Sequence, residues 1–247
     1  MKITCLSLPF VSILALSTGF STFALAQQTA PATYRVVVNR VKLDMLNEWL
    51  DLEKNEVVPA LKKGGVRTQS AYATFFGNAG EYVVLRPFDK YADFDNPSPL
   101  VKALTQPVWD RLQAKLRKCL ESQTSYAQTR LVDISNAVTP APEVIVSVRY
   151  RIAAGKMPDF IALVKSDILP LYKKAKVQLI VNQRGPGANV NDVTMSTGYQ
   201  KYADMDGGTF LTKQLGADGL AKLNEKFAPI RTLVEVIVRH RVDDLSW

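Results

Sequence analysis

Six arginines recur at strand-like spacing in this 247-residue chain. Arg40 follows Tyr34-Arg35-Val36-Val37-Val38-Asn39, and Arg149 and Arg151 sit near the end of Val144–Ile152. Arg130 ends a segment that holds Tyr126, while Arg239 and Arg241 end one that holds Glu235. Alternate side chains of a strand share a face. Arg40 therefore goes with Tyr34, Val36 and Val38, and Arg149 and Arg151 go with Ile145 and Ser147. A guanidinium is a planar fork of donors matched to carboxylates and other oxyanions. Taken out of water without a partner, it is costly. Two readings follow. Glu81, Asp192 and Glu235 answer the arginines as structural ion pairs, or the face lines a pocket for a small anionic or carboxylate ligand. That pocket would use Arg40, Arg151, Arg130, Arg241, Arg149, Arg239, Tyr126 and Glu235.

Other chemistry is sparse. His240 is the only histidine, on the valine side of its strand, and Cys119 and Cys5 are the only thiols. These cannot assemble a zinc site from soft ligands, and the expectation is no metal and no cofactor. Gly185-Pro186-Gly187 lacks the third glycine and the following helix of a nucleotide loop. No Gly-x-Ser-x-Gly elbow occurs. Asp93, Asp95, Asp204 and Asp206 follow strands and suit turns and caps. The net charge of +8 is spread along the chain without a basic-aromatic cluster, so no nucleic-acid partner is expected.

The elements that position the arginines come from a duplication. Lys54 to Val66 returns as Lys165 to Val177, and Lys90-Tyr91-Ala92-Asp93 returns as Lys201-Tyr202-Ala203-Asp204, both 111 residues later. One spacing for both motifs reads as a repeat without gaps. Each copy has the order β-α-β-β-α-β. In the first, Tyr34–Val41 is a strand and Leu46, Trp49, Leu50, Val57 and Leu61 stripe a helix that Pro59 bends or ends. A hairpin crosses Gly77-Asn78-Ala79-Gly80, a helix runs over 107–120, and 124–132 closes the copy. Residues 34–134 and 144–246 are the two units, with a polar, proline-bearing linker at 135–143.

This order places two helices on one face of a four-stranded antiparallel sheet. On the closing strand, Val234, Val236, Val238 and Val242 are expected against the helices, and the arginine face needs other cover. The fold expected is α+β: two tandem ferredoxin-like βαββαβ units whose sheets pair face to face as a pseudo-dimeric α/β barrel. One chain supplies both halves, so the particle is a monomeric pseudo-dimer or a homodimer. At its start, Lys2 precedes an apolar run that ends in Ala24-Leu25-Ala26, the pattern of a signal peptide over residues 1–26. Cleavage would leave a periplasmic or secreted protein with no transmembrane segment, a charge of +7 and the single Cys119.

Arg40, the Trp49-Leu50 helix, Pro59 with Lys62-Lys63-Gly64, and Phe76-Gly77-Asn78 followed by Tyr91-Ala92-Asp93 together resemble the NIPSNAP-type members of the dimeric α/β-barrel superfamily. The resemblance implies ferredoxin-like sheets that pair as a barrel. It also implies a range of activities that includes cofactor-free monooxygenases and haem enzymes. Haem-binding relatives take their axial histidine from a helix, which His240 departs from. The favoured expectation is a non-catalytic small-molecule-binding or structural protein. The alternative is a cofactor-independent monooxygenase or related enzyme with its pocket between the sheets.

Overall fold

The computed structural model describes residues 33–247; the leader expected at 1–26 lies outside the described residues. The first unit runs β1 (Thr33–Val41), α1 (Leu46–Leu52), α2 (Val58–Lys63), β2 (Ser70–Phe76), β3 (Glu81–Pro87), α3 (Pro99–Ala103), α4 (Gln106–Cys119) and β4 (Leu120–Arg130). The second runs β5 (Val144–Ile152), α5 (Met157–Leu163), α6 (Leu169–Ala175), β6 (Gln178–Arg184), β7 (Asp192–Tyr199), α7 (Phe210–Phe227) and β8 (Arg231–Arg241). No described helix is long and apolar enough to cross a membrane.

The helix does not end at Pro59. A π-turn at Glu53–Val57 joins α1 to α2, and the Val58 amide donates to the Glu53 carbonyl five residues back. The wider turn lets the helix pass the missing proline donor and run on to Lys63. The second unit repeats this device, with a π-turn at Val164–Ile168 ahead of Pro170.

Eight strands close a barrel in the order β1-β3-β2-β8-β5-β7-β6-β4, and every neighbouring pair is antiparallel. Two seams join the units. Ala73 of β2 faces His240 of β8, and Thr129 of β4 faces Gln183 of β6. Closure removes all sheet edges and turns one face of both sheets inward.

The repeat is not free of gaps. Leu85 and Ser196 are 111 apart, yet their partners Ser70 and Ile180 are 110 apart. The longer loop between β6 and β7 takes up the slip.

Outside the barrel each unit has its own core. Trp49, Leu61, Ala71, Val84 and Leu112 centre the first, and Phe160, Ile168, Leu179, Val193 and Phe227 the second. Each of these side chains larger than alanine contributes about 2 kcal/mol by leaving water. The closing segments are exchanged. Ile134, just past β4, is buried in the second core, and its repeat mate Leu245, just past β8, is buried in the first. Gln69 fixes the latter by exchanging backbone hydrogen bonds with Trp247 at 3.0 Å and donating from Nε2 to the Leu245 carbonyl at 2.7 Å. The stretch at 135–143 is likewise engaged, since Asn136 pairs with Leu179.

One expected face is corrected by this exchange. Val238 is buried and Val242 packs on the first unit's core, but Val234 and Val236 are exposed. The end of β8 is covered by the other unit's helices, and its beginning extends past that cover.

Candidate functional site

The inward faces of the two sheets enclose a cavity of about 710 Å³. All eight side chains expected on this face border it, together with Arg184, Glu81, Asp192, Tyr34 and Tyr72. Seven arginines thus meet three carboxylates in one space.

The carboxylates are all engaged. Arg149 reaches two of them, donating from Nη1 to Asp192 Oδ2 at 2.9 Å and from Nε to Glu235 Oε1 at 2.7 Å. Arg151 holds Asp192 as well, with Nη2 at 3.2 Å from Oδ2. On the first unit's acid, Arg239 Nη2 of β8 donates to Glu81 Oε1 at 2.8 Å across the seam, and Arg40 Nε lies 3.8 Å from Oε2. Arg40 and Arg151 are repeat mates, as are Glu81 and Asp192, so the two halves present the same pair in strand register.

Burial alone would raise the Asp192 carboxyl, but hydrogen bonds from Arg151 and Arg149 outweigh it and hold the group below its usual range. The hydrogen bond from Arg149 likewise depresses Glu235. Carboxylates held ionised in this way are weak bases, which argues against a tuned general base among them.

Not every donor finds an acceptor. Among the described residues Nε of Arg130, Arg184 and Arg239 and Oδ1 of Asn182 are buried without a hydrogen-bond partner. The Arg184 guanidinium lies 4.6 Å from the Tyr126 ring centroid, and that of Arg130 lies 5.2 Å from the Tyr34 ring. Burial pushes the Tyr126 phenol above its usual range, although Arg184 and Arg239 pull against it. Val36, Val83, Leu85, Ile145, Ile180 and Ile237 supply apolar walls between the charges. The site is a cation-rich barrel interior with aromatic stacking surfaces, of a size typical for small-molecule pockets.

Arg184 is not among the residues expected from the sequence, and the structure adds it as the last residue of β6. The signal was present in Gln178, Ile180, Asn182 and Arg184, which alternate onto the inner face. The Gly185-Pro186-Gly187 loop is structural along one wall. The Pro186 carbonyl accepts from the Ala127 amide at 2.9 Å, and a Cβ at Gly187, whose φ is +91, would stand 2.6 Å from the Ser125 carbonyl oxygen. Asp93 and Asp204 cap their turns, each accepting an amide hydrogen bond at 3.1 Å.

His240 does not border the cavity. It lies on the outer face of β8, 6.4 Å from the Phe75 ring. The described helices contain no histidine, so the chain does not fit a haem held by a helical histidine. Cys119 is buried in the first core, where burial raises its thiol, and no group of three or more metal-ligating side chains is brought together among the described residues.

No family model matches the chain, and no curated protein matches it. Solved structures do. An anthrone oxidase-like protein aligns with a TM-score of 0.59 over 87% of this chain and 92% of its own, at 7% identity. A Lactobacillus acidophilus protein provisionally named a monooxygenase aligns at 0.56 over 86% and 94%, at 9% identity. A heme-binding protein from Thermus thermophilus aligns at 0.51 over 87% and 93%, at 10% identity. Likeness at these identities concerns fold alone. The chain shares with these proteins an α+β barrel fold, in which one polypeptide supplies both sheets.

Proposed function

We propose that this protein is a non-catalytic small-molecule-binding barrel whose cavity accepts an anionic, carboxylate-bearing ligand. The observation that carries the reading is the excess of seven arginines over three carboxylates in one partly desolvated space. Cations in such surroundings need anions, and the acids of the lining are too few to supply them. The leader-like residues 1–26 support export, with the mature chain starting at Gln27 in the periplasm or outside the cell. The two units at 34–134 and 144–246 act as a monomeric pseudo-dimer, and kinship with NIPSNAP-type proteins rests on the motifs around Arg40, Trp49, Pro59 and Tyr91.

A second reading is a cofactor-independent monooxygenase or related small-molecule enzyme. Its support is the likeness in fold to the anthrone oxidase-like protein and to the provisionally named monooxygenase. The apolar walls of the cavity suit an aromatic body equally well. Native mass spectrometry after incubation with a metabolite library separates the readings. Retention of an unchanged carboxylate supports binding, whereas a retained compound that gains oxygen in air supports the enzyme. If neither anions nor neutral compounds are retained, the binding proposal fails.

A further inference from the structure

The three carboxylates of the lining stand away from one end of the cavity. Arg40 and Arg151 end β1 and β5, which run the same way around the barrel, and the acids Glu81 and Asp192 stand opposite them. Arg130 and Arg241 end β4 and β8, which run the other way, so they stand at the opposite mouth. No lining carboxylate is paired there. Arg130 forms no ion pair among the described residues, and its buried Nε has no hydrogen-bond partner. Arg241 gives Nε to Asp243 at 2.9 Å, an acid 77% exposed and beyond the end of the strand.

The two arginines are also repeat mates, and so are their cross-strand partners. Arg241 faces Tyr72 across the β2–β8 seam, and Arg130 faces Asn182 across the β4–β6 seam. Tyr72 and Asn182 occupy equivalent places, 110 residues apart, as do Ser70 and Ile180. Burial raises the Tyr72 phenol, both guanidinium charges pull against it, and the Glu143 carboxylate adds to the rise. The barrel's internal symmetry thus brings two forks to one mouth, with Tyr34 stacked beside Arg130 and with Val36, Leu85, Ile145 and Ile180 lining the same end of the cavity.

We propose that Arg130 and Arg241 form a two-armed clamp for the carboxylate of an amphipathic monocarboxylic acid, whose apolar body lies against the wall of Val36, Leu85, Ile145 and Ile180. This rests on the anion-binding reading above and assigns its head group to one end. Two guanidinium forks suit the two oxygens of a planar carboxylate. The apolar body replaces water along the wall.

Calorimetric titration of the full chain with acetate, decanoate and 1-naphthoate, with 1-naphthol as the neutral control, tests the clamp. Wild-type protein should bind decanoate or 1-naphthoate at least tenfold more tightly than acetate, and 1-naphthol weakly. R130Q and R241Q should each raise the Kd about tenfold or more, a bidentate charge-assisted contact being lost. R40Q, at the other mouth, should raise it several times less. If R40Q costs as much as R130Q and R241Q, the clamp is overturned while anion binding stands. If no carboxylate binds, the anion-binding reading falls and takes the clamp with it. If 1-naphthol binds as tightly as 1-naphthoate, charge is not being read and the clamp is wrong. Should a glutamine variant not fold, R130K and R241K keep the charge without the fork. An unchanged Kd in both overturns the clamp, and a several-fold loss upholds it.

Discussion

Arg149 Nη1 donates to Asp192 Oδ2 at 2.9 Å across two adjacent strands, in a wall where Asp192 is 1% exposed. Arg151, next on the same face, takes the other side of that carboxylate. The first unit repeats the arrangement with Glu81 in place of Asp192, one methylene longer and drawn to Arg239 on the neighbouring seam. A duplicated fold has kept the acid position and changed its partners.

Asp192→Asn should therefore destabilise the protein more than Glu81→Gln. The substitution leaves Arg149, one-fifth exposed, without its buried acid. A lowered melting temperature of about 5 °C or more is expected, after allowing for the partial exposure of the arginines. The native carboxyl titrates below its usual range, so this stabilisation is present above about pH 4 and is lost on acidification through the native value. Thermal scans from pH 3 to 7 should show a shallower acid limb in Asp192→Asn.

Glu53 behaves in the opposite sense. It is buried in the π-turn, and burial pushes its carboxyl up to about 7, with Arg86 pulling the other way. The folded state thus prefers the protonated form, and stability should fall as pH rises from about 4.5 to 7, then level off. The loss is on the order of 3 kcal/mol. Glu53→Gln should match wild type near pH 4 and exceed it at pH 8, as read by urea unfolding. A variant less stable than wild type at pH 8 would show that the charge is held by contacts instead.

Much of this was legible in the sequence, for a definite reason. Strand alternation is a strict period of two, so a single strand assignment places Arg40 with Val38 and Arg151 with Ile145 on the inner face. What alternation does not carry is the length of a strand or what covers its far side. Arg184 joins the lining because β6 runs on to it as its last residue, and Tyr72 and Asn182 are equivalent only through the one-residue slip in the pairing of β6. Val234 and Val236 looked like core because their spacing matches Val238. Cover depends on which unit's helices lie over each end of β8, a long-range relation with no local signal. Pro59 carried the general expectation of a helix end, and the π-turn that bypasses it has no distinct residue pattern.

The exchanged ends make the halves interdependent. Leu245 is 1% exposed in the first unit's core, and Leu245→Ala should cost about 2–4 kcal/mol. Cutting the chain within 135–143 should leave the two fragments associated, because Asn136 and Ile134 remain held by the second unit. Small-angle scattering of each half alone should show aggregation or expansion. A stable, compact monomer from either half would contradict the interlock.

Export is checked by mass. The intact chain recovered from the periplasm or medium should begin at Gln27. Recovery with Met1 to Ala26 still attached would contradict cleavage.

Thermal unfolding of the full chain against rising carboxylate concentration tests directly whether the cavity's excess of arginines binds an anion. A ligand that binds only the folded barrel raises the melting temperature with the logarithm of its concentration above Kd. Such a rise is expected for decanoate or 1-naphthoate at constant ionic strength, reduced when Arg130 or Arg241 is replaced by glutamine. A melting temperature that no carboxylate moves, in wild type and variants alike, would contradict it.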